Sequence, residues 1–130
     1  MESRLLLKIN TIARFTLAFV FAYHGLVPKI LWLSPVEAAL TNAHHLDATL
    51  ISPIAGVFEI ILALSILVFK KSLIPIYTAI ALLFALLLDV MLIMPSLLIA
   101  AFNPVTINLV TIIIAYLVCI THKHAIALRG

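Results

Sequence analysis

ISPIAGVFEIILALSILVF (residues 51–69), the polar residues Lys70, Lys71 and Ser72, and then LIPIYTAIALLFALLLDVMLIM (residues 73–94) decide how this chain folds. Each apolar run has the ~20 residues that an α-helix needs to cross a hydrocarbon core. The lysine pair between them belongs at an interface, so the segment reads as a membrane hairpin of helix, turn and helix. Each run nevertheless carries one acid, Glu59 in the first and Asp89 in the second. A carboxylate at the centre of a spanning helix costs roughly 2.5–3.5 kcal/mol on insertion scales. Leucine at either position would insert more easily. Both acids therefore have a task, either tying helices together or handling a ligand or a proton.

The rest of the chain agrees with the hairpin. Of its 130 residues 65% are hydrophobic and 10% charged, with a mean hydropathy of +1.31. Soluble domains run at about 45–50% apolar and about 25% charged, so the chain reads as an integral membrane protein. Four spans emerge, at about residues 9–27, 51–69, 73–94 and 105–121, with Pro28, Pro53, Pro75, Pro95 and Pro104 at or near their ends. Proline is tolerated in a first helical turn and stops a helix elsewhere, so these positions mark boundaries. The apolar stretch after Arg4, Lys8 and Arg14 continues into His24 and Gly25 without a small-x-small cleavage site, and reads as a retained first helix. The fold class expected is all-α: a four-helix membrane bundle forming a single transmembrane domain over residues 1–130.

Charge gives orientation. The net charge of +3 comes from Lys and Arg scattered around helix ends, a pattern of membrane topology that argues against nucleic acid as a partner. With the N-terminus in the cytoplasm, that side collects Arg4, Lys8, Arg14, Lys70, Lys71, Lys123 and Arg129, and the other side only Lys29. The expectation is an inner-membrane protein with both termini cytoplasmic and two outer loops, the first of them long. In that loop Ser34-Pro35-Val36-Glu37 is a capping box with proline at the first helical position. It predicts a short helix over residues 35–45 that caps the outer mouth of the bundle, with Trp32 at the interface.

Counting inward from the outer ends places His24, Glu59, Asp89 and Asn108, from four different spans, roughly 5–12 Å below the outer interface at 1.5 Å per residue. Together with Lys29 they predict a polar centre in the outer half. Gly56, Glu59 and Ala63 share one face of the second span; Tyr77, Ala81, Ala85 and Asp89 form an i+4 row on the third; Asn108, Thr111, Ala115 and Cys119 form a stripe on the fourth. Small residues beside polar ones mark contact faces between membrane helices, so both acids are expected to point into the bundle. Each has a plainer reading. Glu59 and Asp89 can simply pin helix packing, Lys29 can reach the headgroups, and Asn108 can be an interhelical hydrogen-bond partner.

Other chemistry finds little support. His44-His45 diverge on a helix, and His122 and His124 suit a cytoplasmic helix end, so no metal site is expected. The lone Cys119 excludes an internal dithiol pair. No phosphate loop, nucleophile elbow or nucleotide fingerprint occurs. No cofactor is identified from the residues, and an enzyme acting alone is the reading they support least.

Arg14-Phe15, Tyr23-His24-Gly25-Leu26-Val27-Pro28-Lys29, the Pro35/Glu37 helix, Gly56-x-x-Glu59-Ile60, and Phe102-Asn103-Pro104 with Asn108 resemble the DoxX-like family of small four-helix bacterial membrane proteins. His24, Lys29, Glu59 and Asn108 are the family-like positions, whereas Asp89 rests on the physical reading alone. The resemblance implies a subunit of a redox system, because wider relatives include a subunit of a thiosulfate:quinone oxidoreductase and membrane partners of redox and thiol-stress proteins. A quinone is then a candidate ligand and a redox protein a candidate partner beside the lipid bilayer. Three functions are weighed. The first is an outward-facing pocket for a small amphipathic molecule, quinone or lipid-like. The second is a proton-coupled transporter, for which four helices would need a homodimer. The third is a structural scaffold for a partner enzyme.

Overall fold

The computed structural model describes residues 2–128; Arg129, counted above among the cytoplasmic charges, lies outside them. All regular structure among the described residues is helical: α1 (Glu2–Leu26), α2 (Pro35–Ala43), α3 (Ala48–Val68), α4 (Ile74–Ile93) and α5 (Pro104–Ala127). Four of these, all but α2, are long and apolar enough to cross a membrane. Two helices outrun the expected spans. α1 begins at Glu2 and α5 continues to Ala127, because neither glycine nor proline interrupts residues 2–24 or 105–127.

The helix ends follow the capping chemistry. Ser34 Oγ accepts from the Glu37 N–H at 3.1 Å and starts α2. Asp47 caps α3 by accepting from the Thr49 N–H at 2.9 Å, and Asn103 caps α5 by accepting from the Thr106 N–H at 3.0 Å. α2 stops at Ala43, slightly earlier than expected, in a turn where His45 adopts a positive φ of 60°. Pro75 and Pro104 stand in the first turns of their helices, whereas Pro53 lies inside α3 rather than at its start.

α1 ends unusually. Pro28 has no N–H to donate to His24 O, so the α-helical ladder cannot continue through it. The chain widens into a single π-helical turn, Val27–Leu31, closed by the Trp32 N–H donating to Val27 O at 3.0 Å. The same turn holds Lys29 inside the protein, where only 6% of it is exposed.

α1 is the central element. It packs along both α3 and α5, and α4 packs on α5, while the consecutive helices α3 and α4 barely touch. The core between them is built from Leu17 and Phe21 of α1, Ile66 of α3, Ile76 and Leu83 of α4, and Val118 of α5, with alanines at closer approaches. In lipid such interfaces depend on packing and polar contacts rather than on expulsion of water. Between α3 and α4, toward the turn that joins them, an apolar cleft of about 480 Å³ opens beside Phe58, Leu62 and Phe69.

Two expected faces are found and one is corrected. Gly56, Glu59 and Ala63 are buried on α3, and Thr111 and Ala115 on α5. On α4 the row Tyr77, Ala81, Ala85 and Asp89 does not enter the bundle: Tyr77 is 57% exposed, and the helix buries Ile76, Ala79, Leu83 and Val90 instead. The bulk of Leu83 and Ile76 fills the seam against α5 better than a row of alanines would.

Candidate functional site

Gly25 on α1 and Gly56 on α3 bring the two backbones together. A methyl group added to either would run into the carbonyl oxygen of the other, so only glycine permits this approach. One turn along each chain from that crossing are the π-turn that carries Lys29 and the α3 turn that carries Glu59. Lys29 Nζ donates to Glu59 Oε1 at 2.5 Å, and both side chains are 7% exposed. The second carboxylate oxygen, Glu59 Oε2, is buried without a hydrogen-bond partner.

Glu37, presented by α2, approaches the same lysine at 3.8 Å. Burial is the main influence on its carboxyl and pushes its pKa up; Lys29 pulls it down and Glu59 pushes it further up. Two carboxylates thus share one lysine under the loop helix. α2 is held down by Thr41, whose hydroxyl lies 3.1 Å from that of buried Ser52 on α3.

These groups border a cavity of about 310 Å³ whose lining combines the polar residues His24, Lys29, Glu37, Glu59 and Asn108 with apolar ones, Leu83, Leu86, Val90 and Phe102 among them. Its size and its mixture of apolar walls with a few convergent polar groups are those of a small-molecule site. Asn108 donates through Nδ2 to Leu83 O at 3.4 Å. Four of the five residues expected to form the polar centre therefore meet at this cavity.

Asp89 does not. It sits outside the cavity wall and pairs with His44 at the end of α2, with Nε2 at 2.9 Å from Oδ1, both side chains about a third exposed. It shares the depth of the others but faces a different neighbour, the loop rather than the bundle. Glu37, conversely, reads in the sequence only as part of a capping box. Nothing local distinguishes that role from a second one at the cavity, because both follow from how α2 lies across the helix ends.

A second polar cluster lies at the opposite end of the bundle. Arg14, 2% exposed, donates through Nε to Asn10 Oδ1 at 3.3 Å, through Nη1 to Ile66 O at 3.0 Å and through Nη2 to Ser72 O at 3.2 Å. Its Nη2 also lies 3.5 Å from His122 Nδ1, and Asn10 Nδ2 donates to Thr121 Oγ1 at 2.9 Å. The guanidinium thus satisfies the Ile66 carbonyl, in the last turn of α3 where the helix leaves such groups unpaired, and the Ser72 carbonyl in the α3–α4 turn. Arg14 and His122 read in the sequence as interfacial charges. The available signal was position, since Arg14 lies several residues inside the 9–27 span. Leu17, Phe21 and Ala63 separate the two clusters. Among the described residues no group of three or more His, Cys, Asp or Glu is placed to hold a metal ion.

A family model described as the DoxX-like family matches residues 18–116. The match takes in every residue around the cavity and leaves out Asn10, Arg14 and His122. No curated protein and no solved structure matches the chain.

Proposed function

The chain belongs to the DoxX-like family of small membrane proteins, and we propose that its cavity beside Glu59 receives a small amphipathic molecule from the membrane. The observation that carries this is the pairing of apolar walls with a buried ion pair whose carboxylate keeps one oxygen unpartnered. An apolar body can lie against Leu83, Leu86 and Val90 while a polar head meets Lys29, Glu37 and Glu59. Lipid-like molecules and quinones both have this build, and a redox partner protein would make the site part of an electron-transfer system.

Charge supports an orientation for this reading. Every described Lys and Arg other than Lys29 lies toward the termini or in the α3–α4 turn, a distribution that by the positive-inside rule favours cytoplasmic termini. In a bacterial inner membrane the cavity would open outward. A second reading, in which the cluster only ties α1 to α3 as a scaffold, is favoured by the closure of Lys29 on Glu59.

The test is the content of the purified protein. Apolar molecules extracted from wild type and from Leu86→Trp, which fills the cavity from its apolar wall, are compared by mass spectrometry. A species present in wild type and lost from the variant is expected. Equal content in both, with both proteins folded, overturns the binding reading and leaves the scaffold.

A further inference from the structure

The polar groups around the cavity are unevenly matched. The acceptors are the two oxygens of Glu37, the two of Glu59 and Oδ1 of Asn108. On the donor side, the three N–H groups of Lys29 serve Glu59 Oε1 and lean toward Glu37 but do not reach Glu59 Oε2; one N–H of Asn108 Nδ2 is engaged by Leu83 O, and the Thr111 hydroxyl by Ile107 O. His24 can supply at most one donor while neutral. Among the described residues, Glu59 Oε2 is the buried side-chain acceptor left without a hydrogen-bond donor.

An unpaired buried acceptor is costly, more so when it is charged. A ligand that brings only further acceptors, a quinone or an ether, leaves that deficit in place. One that brings an O–H or N–H removes it. We infer that the molecule held in this cavity presents a hydrogen-bond donor head, a hydroxyl or an ammonium group, on an apolar body. Glu59 Oε2 is shielded as the side chain stands. The last torsion of a glutamate is broad and nearly two-fold, so a small turn of the carboxyl presents the free oxygen while Lys29 stays paired. Two carboxylates against one lysine favour the same class of head, because their surplus charge is negative.

This inference rests on the cavity being a binding site, and the experiment separates the two claims. The full-length protein in lipid nanodiscs is titrated with three probes of similar apolar body: 4-hexylphenol, 4-hexylanisole and 4-hexylbenzylamine. The phenol or the amine, or both, are expected to bind about tenfold more tightly than the anisole. A preference for phenol identifies a hydroxyl head and a preference for amine a cationic one. Glu59→Gln, which puts an amide donor where the free acceptor stood, is expected to abolish or reverse the discrimination; Glu37→Gln, at a less buried position, is expected to weaken the amine alone. Equal affinity of wild type for phenol, amine and anisole, with binding lost in Leu86→Trp, overturns the donor head and leaves the binding site standing. No Leu86-dependent binding of any probe overturns both.

Discussion

Gly25 and Gly56 face each other across the α1–α3 contact so closely that neither leaves room for a side chain on the other. This crossing sets the separation of the turns that carry Lys29 and Glu59, and with it the ion pair under the loop helix. Alanine normally improves a helix over glycine by about 1 kcal/mol. Here the new methyl meets backbone rather than a movable side chain, and overpacking of that kind costs about 1–3 kcal/mol. Gly25→Ala and Gly56→Ala are each expected to be destabilising in detergent unfolding, with crosslinking between cysteines placed on α1 and α3 reduced. An unchanged or higher midpoint would mean that the helices separate freely.

Lys29 and Glu59 should act as a unit. Removing one partner of a buried pair leaves the other charge unmatched and costs about 3–5 kcal/mol, whereas replacing both by apolar groups of similar volume is often close to neutral. Lys29→Met and Glu59→Leu are each expected to be strongly destabilising, and the double variant much less so than their sum. A double-mutant cycle measures the coupling directly. Additive losses would show that the two charges find separate partners.

Glu37 should give the protein a pH dependence. Burial, the largest influence, holds its carboxyl pKa above the usual range, so the folded chain binds this proton more tightly than the unfolded one. The resulting stabilisation is complete below the ordinary glutamate value of about 4.3 and is lost as pH rises through the raised value. Glu37→Gln mimics the protonated form. Its unfolding midpoint relative to wild type is expected to rise between pH 4 and pH 8, and a difference that stays flat would place Glu37 in ordinary solvent.

The bundle and the pocket end of the protein were legible in the sequence for a simple reason. Span length, proline placement and capping boxes are local properties, and depth can be counted along a helix. Rotation about the helix axis is a different matter. Asp89 shares the depth of Glu59, but its direction depends on which face of α4 meets α5, and Leu83 and Ile76 take that seam. Lys29 faces inward because Pro28 opens a π-turn, which the Val-Pro-Lys string permits but does not require. Arg14 was hidden by its own chemistry. A guanidinium near a helix end reads as a headgroup anchor until the carbonyls of Ile66 and Ser72 come within its reach.

Arg14 offers the sharpest contrast between charge and geometry. Lysine keeps the charge but has a single nitrogen, whereas three nitrogens of the guanidinium reach Asn10, Ile66 and Ser72. Arg14→Lys is therefore expected to cost about 1–3 kcal/mol through carbonyls left unpaired. Its effect should fall on the end of α3, read as faster hydrogen exchange near Ile66, with probe binding at the distant cavity unchanged. Full stability in Arg14→Lys would show that charge alone is needed there.

The two acids that first mark the hairpin should part company when each is made neutral. Asp89 pairs with His44 where both side chains are partly open to solvent, and exposed pairs contribute about 0–1 kcal/mol. Glu59 is buried against Lys29, and its loss strands a lysine in the protein interior. Asp89→Asn is thus expected to shift unfolding by less than about 1 kcal/mol and to leave cavity binding intact. Glu59→Gln should lower stability several-fold more and change what the cavity binds. If Asp89→Asn instead matched Glu59→Gln in both readouts, the His44 contact would not describe its role, and the acid would belong with the cavity after all. Depth made the two residues look alike; the side chains they face are what should set them apart.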